Sequence, residues 1–235
     1  MRAPNAFCKN MTRQKPRIGA VLLIGVACAM LLTTHSAYLA PLIVQGETAS
    51  FRYTAQDEGN NQLYIVVSIE FHDTNALEKY RQVNEQRALR LAKEKVKDVP
   101  VSITFARPIP QSEAHALALQ AGLEVRQFTM VGHSNLSRER GVFGALGALD
   151  QVVEQVREIS WTAEGERLVL EGVMVVKGQL RNAKTLPALL SDKRIHLVDT
   201  SEFEVRQVLA QQHAAVTAGK TIVVSVPSPF WMLDW

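Results

Sequence analysis

Hydrophobic and polar positions along this chain follow three different rhythms. From Ile18 to Leu32 the apolar positions are continuous, and the run stays uncharged to Ala40. Between residues 61 and 131 the rhythm is mostly alternating. Leu63, Ile65, Val67, Ile69 and Phe71 share one face of a strand, and Val99, Val101, Ile103 and Phe105 share one face of another. Pro108 and Pro110 are expected to end that second strand. Elsewhere the apolar spacing is three to four residues, which predicts helices. A charged helix is expected over about 75–98, with a thin stripe of Leu77, Tyr80, Val83, Ala88 and Leu91, with Asn75 and Glu78 as a capping box and with Asp73, at the preceding strand end, also able to cap it. A second spans Ser112–Ala121 with Gly122 as its cap. A third covers 146–159, with Leu146, Leu149, Val152, Val153, Val156 and Ile159 on one face. It follows a Gly/Ser-rich charged loop at 132–142.

Strand, helix and strand recur in the second half: Arg167–Lys177, Asn182–Leu190 and Ile195–Asp199. This unit, about 167–199, matches the one at about 99–131 at an offset of 72. Ile103 falls on Val175, Leu117 on Leu189, Leu123 on Ile195 and Val125 on Leu197. Two such β-α-β units side by side, helices on one face of an antiparallel sheet, predict an α/β (α+β) domain of ferredoxin-like arrangement with extra helices. A helix over Glu202–Ala218, capped by Ser201 and Glu204, and a strand at Thr221–Val226 follow.

The continuous apolar run sets the organisation. Residues 1–17 carry Arg2, Lys9, Arg13, Lys15 and Arg17 and no acidic group. Ile18–Leu32 is fifteen residues long, short of the roughly 20 that span a bilayer, but 18–40 suffices, with Tyr38 at the interface and Pro41 as terminator. The expected order is a basic cytoplasmic tail at 1–17, a transmembrane signal-anchor at 18–40, a linker at 41–60 with one short strand near Ala49–Thr54, and an extracytoplasmic domain at 61–235. The partner implied directly is the lipid bilayer, through residues 18–40. A cleaved signal peptide, giving a secreted domain, is the alternative; His35 or Tyr38 would then sit where cleavage wants a small residue. A lipoprotein reading through Cys28 lacks Leu three residues upstream.

Charge and cysteine content sharpen this. Removing the five tail cations from 26 basic groups leaves 21 against 23 acidic ones, so the outer part is near −2. The basic isoelectric point therefore belongs to the tail, and nucleic acid is not an expected partner. Cys8 and Cys28 are the only cysteines, so the outer domain has neither a disulfide nor a cysteine metal site.

Candidate chemistry is sparse. The six histidines show no His-x-x-x-His or His-Glu-x-x-His spacing. Gly141, Gly144 and Gly147 do not follow a strand as a dinucleotide fingerprint requires, and are expected to ease entry to the helix at 146–159. Neither cofactor nor metal is expected. Ser134, His133 and His72 near loops are the only basis for an envelope hydrolase. The helix at 75–98 is expected to be solvated and laced by pairs such as Arg81–Glu85 and Arg90–Glu94, with anionic headgroups as the other contact considered. The aromatic ending, Phe230, Trp231 and Trp235 after Pro227 and Pro229, is expected to dock a partner, dip into the bilayer surface or cap the domain's own core. Phe230, Trp231, Trp235, Leu149 and Val153 are the candidate partner-binding residues.

The stretch Gly172–Ser201, a strand and short helix before Lys193-Arg194-Ile195-His196-Leu197-Val198-Asp199, resembles the closing half of subtilisin-propeptide-like inhibitor domains. The resemblance implies a ferredoxin-like fold and protease inhibition. The chain departs from that family in continuing with a helix and a strand. The reading carried forward is a membrane-anchored extracytoplasmic interaction or regulatory module with a protein partner or self-association; envelope hydrolysis and protease inhibition are the alternatives.

Overall fold

Alternation of buried and exposed positions builds two sheets. The computed structural model describes residues 42–47, 51–70, 72–134, 140–146, 158–160 and 167–233. The smaller sheet holds β1 (Leu42–Glu47), β2 (Arg52–Gly59), β3 (Gln62–Ser68) and β10 (Thr221–Ser225), in the order β1-β2-β3-β10. The first three are antiparallel, and β10 joins β3 in parallel. The stretch 41–60, expected as a linker, thus contributes two paired strands. A Gly59 φ of 75° followed by Asn60 and Asn61 at 50° and 58° closes the β2–β3 turn, and residues tolerant of left-handed backbone are what a tight hairpin needs.

The larger sheet holds β4 (Lys97–Ile109), β5 (Leu123–Ser134), β6 (Arg140–Leu146), β7 (Glu158–Ser160), β8 (Arg167–Asn182) and β9 (Ile195–Asp199). Its order is β6-β5-β8-β4-β9, every neighbour antiparallel, with β7 also on β8. Two β-α-β units interleave here: β4 and β5 flank β8, and β8 and β9 flank β4. The chain is therefore mixed α/β with two sheets.

Among the described residues there are five α-helices: α1 (Thr74–Glu94), α2 (Gln111–Ala121), α3 (Leu186–Ser191), α4 (Ser201–Gln212) and α5 (Ala214–Thr217). Helices α1, α2 and α3 cover one face of the larger sheet. Val99, Val101, Ile103 and Phe105 of β4 meet Leu117 and Ala118 of α2, Leu91 of α1 and Leu186 and Leu189 of α3 in the main core. Helix α4 covers the smaller sheet, where Val205 and Leu209 pack on Phe51, Tyr53, Leu63, Ile65 and Val67.

Several expectations are corrected. Of the two caps expected for α1, Asp73 is the one that forms, accepting the Ala76 N–H at 2.7 Å, and Asn75 lies inside the helix. That helix ends at Glu94, because Lys95 turns left-handed with φ 57°. Pro108 does not end β4, which absorbs it in a bulge between Thr104 and Ile109. Residues 140–146 are strand, paired with β5 through Gly132–Gly141 and Thr129–Gly144, so neither a loop through 142 nor a helix beginning at Leu146 forms. Glu158–Ser160 is likewise strand; the middle of the expected 146–159 helix lies outside the described residues. Helix α4 stops at Gln212, with His213 breaking the expected run to Ala218. Among the described residues no helix is long and apolar enough to cross a membrane. The 18–40 segment lies outside them.

Candidate functional site

Register, not sequence proximity, assembles a polar concavity on the larger sheet. In β4 the residues facing the helices are apolar, so those between them, Ser102 and Thr104, face the other way. Ser102 pairs with Lys177 of β8 on one side and with Asp199 of β9 on the other, and Gln127 of β5 pairs with Lys177. Directly opposed residues on neighbouring strands share a face. An amide, an ammonium, a hydroxyl and a carboxylate therefore stand in one row across four strands, each step about 4.8 Å.

This row floors a cleft of about 370 Å³. Tyr64 of β3 and Val223 of β10, themselves register partners, contribute the apolar side. Glu202 in the first turn of α4 and Arg126 of β5 close the two ends. Gly178 lets β5 and β8 meet beside Lys177: a Cβ there would lie 2.2 Å from the Glu124 carbonyl oxygen.

Lys177 is the unusual group. Its Nζ donates to the Val226 carbonyl at 2.8 Å. Among the described residues no carboxylate lies within 4.0 Å of it. Burial pushes its pKa below the usual lysine value, and the fields of Asp199 and Glu202 only partly offset that. Ser102 has the Ser228 hydroxyl 3.4 Å away, a poor proton acceptor.

Asp199 is anchored from behind. Its Oδ2 accepts from the Tyr80 hydroxyl and its Oδ1 from the Ser201 N–H, both at 2.8 Å. Since the Tyr80 proton is committed to Asp199, the 2.7 Å contact with Ser201 Oγ is donated by Ser201. Ser201 in turn accepts from Arg87 at 3.3 Å. Arg87 also donates to Asn84 Oδ1, forms an ion pair with Glu204, and lies 6.0 Å from the Phe51 ring centre. Asn84 Oδ1 receives the Thr200 N–H at 3.0 Å. Burial, then the nearby Asp199 carboxylate, pushes the Tyr80 phenol well above its ordinary value. This network ties α1 to the β9–α4 junction.

The residues singled out from sequence lie elsewhere. Phe230 is half-buried and, with Leu233, packs on Val131, Met174 and Val175. Trp231 lies in the 3-10 turn Pro229–Met232. Leu149, Val153 and Trp235 lie outside the described residues. His133 and Ser134 are consecutive in β5 and point to opposite faces: His133 Nδ1 contacts Glu171 at 2.9 Å while Ser134 is buried. His72 pairs with Glu70 at 3.2 Å in solvent. These three groups do not assemble. Gly141 and Gly144 sit within a strand and not at a helix entry. Arg81 bonds Glu78 through two contacts of 2.8 Å and not Glu85.

Sequence reasoning missed Ser102, Lys177 and Asp199 as a group, and Asn84 and Arg87 as buried. For the last two a signal existed: both sit on the helical spacing of Leu77, Tyr80, Ala88 and Leu91. Among the described residues no group of three histidine, cysteine or acidic side chains is placed to hold a metal. No family model, curated protein or solved structure matches the chain.

Proposed function

We propose that this chain is a single-pass, membrane-anchored module whose α/β domain faces out of the cytoplasm and binds, without catalysing. The location rests on the five cations ahead of the 18–40 apolar run. The strand order β5-β8-β4-β9, with α2 and α3 on one face, supports a ferredoxin-like core for that domain.

The observation that carries binding over catalysis is the spacing within the cleft. A nucleophile needs a base within hydrogen-bond reach. Lys177 donates to a carbonyl, Ser102 neighbours another hydroxyl, and Asp199 is engaged by Tyr80 and Ser201. These groups present charge into a cleft without activating one another. A hydrolase reading through Ser134, His133 and His72 gains nothing from their separate placement. An inhibitor reading is weakened because the chain after Asp199 runs on through α4 into β10 of the smaller sheet.

The test is protease access in intact and permeabilised cells, with a tag at each end of the full chain. Loss of the C-terminal tag from outside, with the N-terminal tag protected, supports the reading; a C-terminal tag protected until the membrane is dissolved overturns it. Crosslinking before affinity capture then reports the protein partner or self-association.

A further inference from the structure

We propose that the cleft beside β10 is a binding site for a small zwitterion with an apolar substituent, of the amino-acid class. This deepens the binding-module reading and rests on it. Three features of the cleft carry the inference.

Charge is separated across it. Arg126 and Lys177 come from β5 and β8, and Asp199 and Glu202 from β9 and the start of α4. Lys177 and Asp199 stand two strands apart, with Ser102 between them. Among the described residues neither cation of the cleft meets either carboxylate within 4.0 Å. Glu202 already pairs with Arg206 at 2.8 Å, so the uncompensated charges are Asp199 and Lys177: an anion alone would leave Asp199 without a countercharge, and a cation alone would leave Lys177 so. One molecule carrying both charges answers both sides, its carboxylate toward Lys177 and its ammonium toward Asp199.

Both inner charges are built in, not surface ornament. Asp199 is only 4% exposed and is oriented by Tyr80 and Ser201. Lys177 is half-buried, and its desolvated ammonium gains most from an arriving carboxylate, since a buried charge is costly until paired. The third feature is apolar: Val223 is 40% exposed although it lies on the cleft beside Tyr64. A hydrocarbon substituent there would remove that surface from water. The cleft volume, about 370 Å³, is at the small end of ligand sites.

The experiment is calorimetric titration of the purified full chain in detergent with L-leucine, L-methionine and L-phenylalanine. Two analogues of leucine each lack one charge: 4-methylpentanoate and 3-methylbutylamine. At least one amino acid is expected to bind saturably, and leucine at least tenfold more tightly than either analogue. Lys177→Gln, which leaves the Tyr80 network intact, is expected to weaken binding tenfold or more without lowering the melting temperature. Asp199→Asn is a poor first variant because it disturbs that network. Equal binding of leucine and 4-methylpentanoate overturns the zwitterion while leaving a binding cleft. Binding indifferent to Lys177→Gln overturns the site. No binding of any compound by chain shown to be folded overturns the ligand class, while tag topology and partner capture still decide the module reading on their own.

Discussion

The network around Tyr80 and the row around Lys177 meet at Asp199, yet they treat polar groups in opposite ways. Behind Asp199, Arg87, Ser201, Tyr80 and the carboxylate form a chain in which each donor has an acceptor. In front of it, Ser102 and Lys177 have one partner each, a distant hydroxyl and a backbone carbonyl. Buried polar groups that are fully paired specify a structure; those left underused represent a stored cost that a ligand can remove. The difference separates residues that hold the fold from residues that line the cleft.

Substitutions test that separation. The largest effect is expected at Arg87. Arg87→Met strips the partner from Glu204 and the donor from Ser201, and should destabilise by about 3 kcal/mol in denaturant unfolding, as breaking a buried ion pair does. Gly172→Ala follows. The new Cβ would lie 2.4 Å from the Ile109 carbonyl oxygen at a φ of 156°, and overpacking of this kind costs about 2 kcal/mol. A wild-type melting temperature for this variant would mean that the β4 bulge yields freely.

Tyr80→Phe comes next, at about 1.5 kcal/mol for a hydrogen bond to a charged acceptor. It also carries a pH signature. The folded Tyr80 phenol lies above its unfolded value near 10.0 because burial disfavours the phenolate. Its contribution is fully present below that value and is lost as the pH rises beyond it. The variant should therefore show a flatter alkaline decline than the wild type.

Lys177→Met should behave differently, leaving neutral-pH stability unchanged or higher while abolishing amino-acid binding. Because burial lowers the folded Lys177 pKa, the unfolded chain binds its proton more strongly. Wild-type stability relative to the variant should thus rise as the pH climbs toward the free-lysine value of 10.5. Loss of stability in Lys177→Met at neutral pH would place Lys177 with the structural network. Least of all, Arg81→Ala removes an exposed pair with Glu78 and should move stability by no more than about 0.5 kcal/mol.

The same contrast explains what was readable in advance. Leu63, Ile65, Val67, Val99, Val101, Ile103 and Phe105 are all buried where alternation put them. Helix α2 ends at Gly122 with φ 67°, as its glycine implied. Residues 140–146 were misread because Gly141 and Gly144 weaken a strand's signature, and only pairing with β5 makes them one. Asn84 and Arg87 were missed because a polar residue on an apolar stripe looks like an interruption until its partners arrive from Thr200, Ser201 and Glu204, more than a hundred positions away.

Along the chain itself, the periods of apolar residues determined β3, β4, β5, β8, β9, α1, α2 and with them the two β-α-β units, because those periods depend on neighbours a few positions apart. Tertiary structure alone decided that β10 would return to lie parallel to β3, and that Gln127, Lys177, Ser102 and Asp199 would fall into one register. These are long-range pairings, selected by which faces must be buried and which backbone groups must be satisfied. No local pattern encodes them.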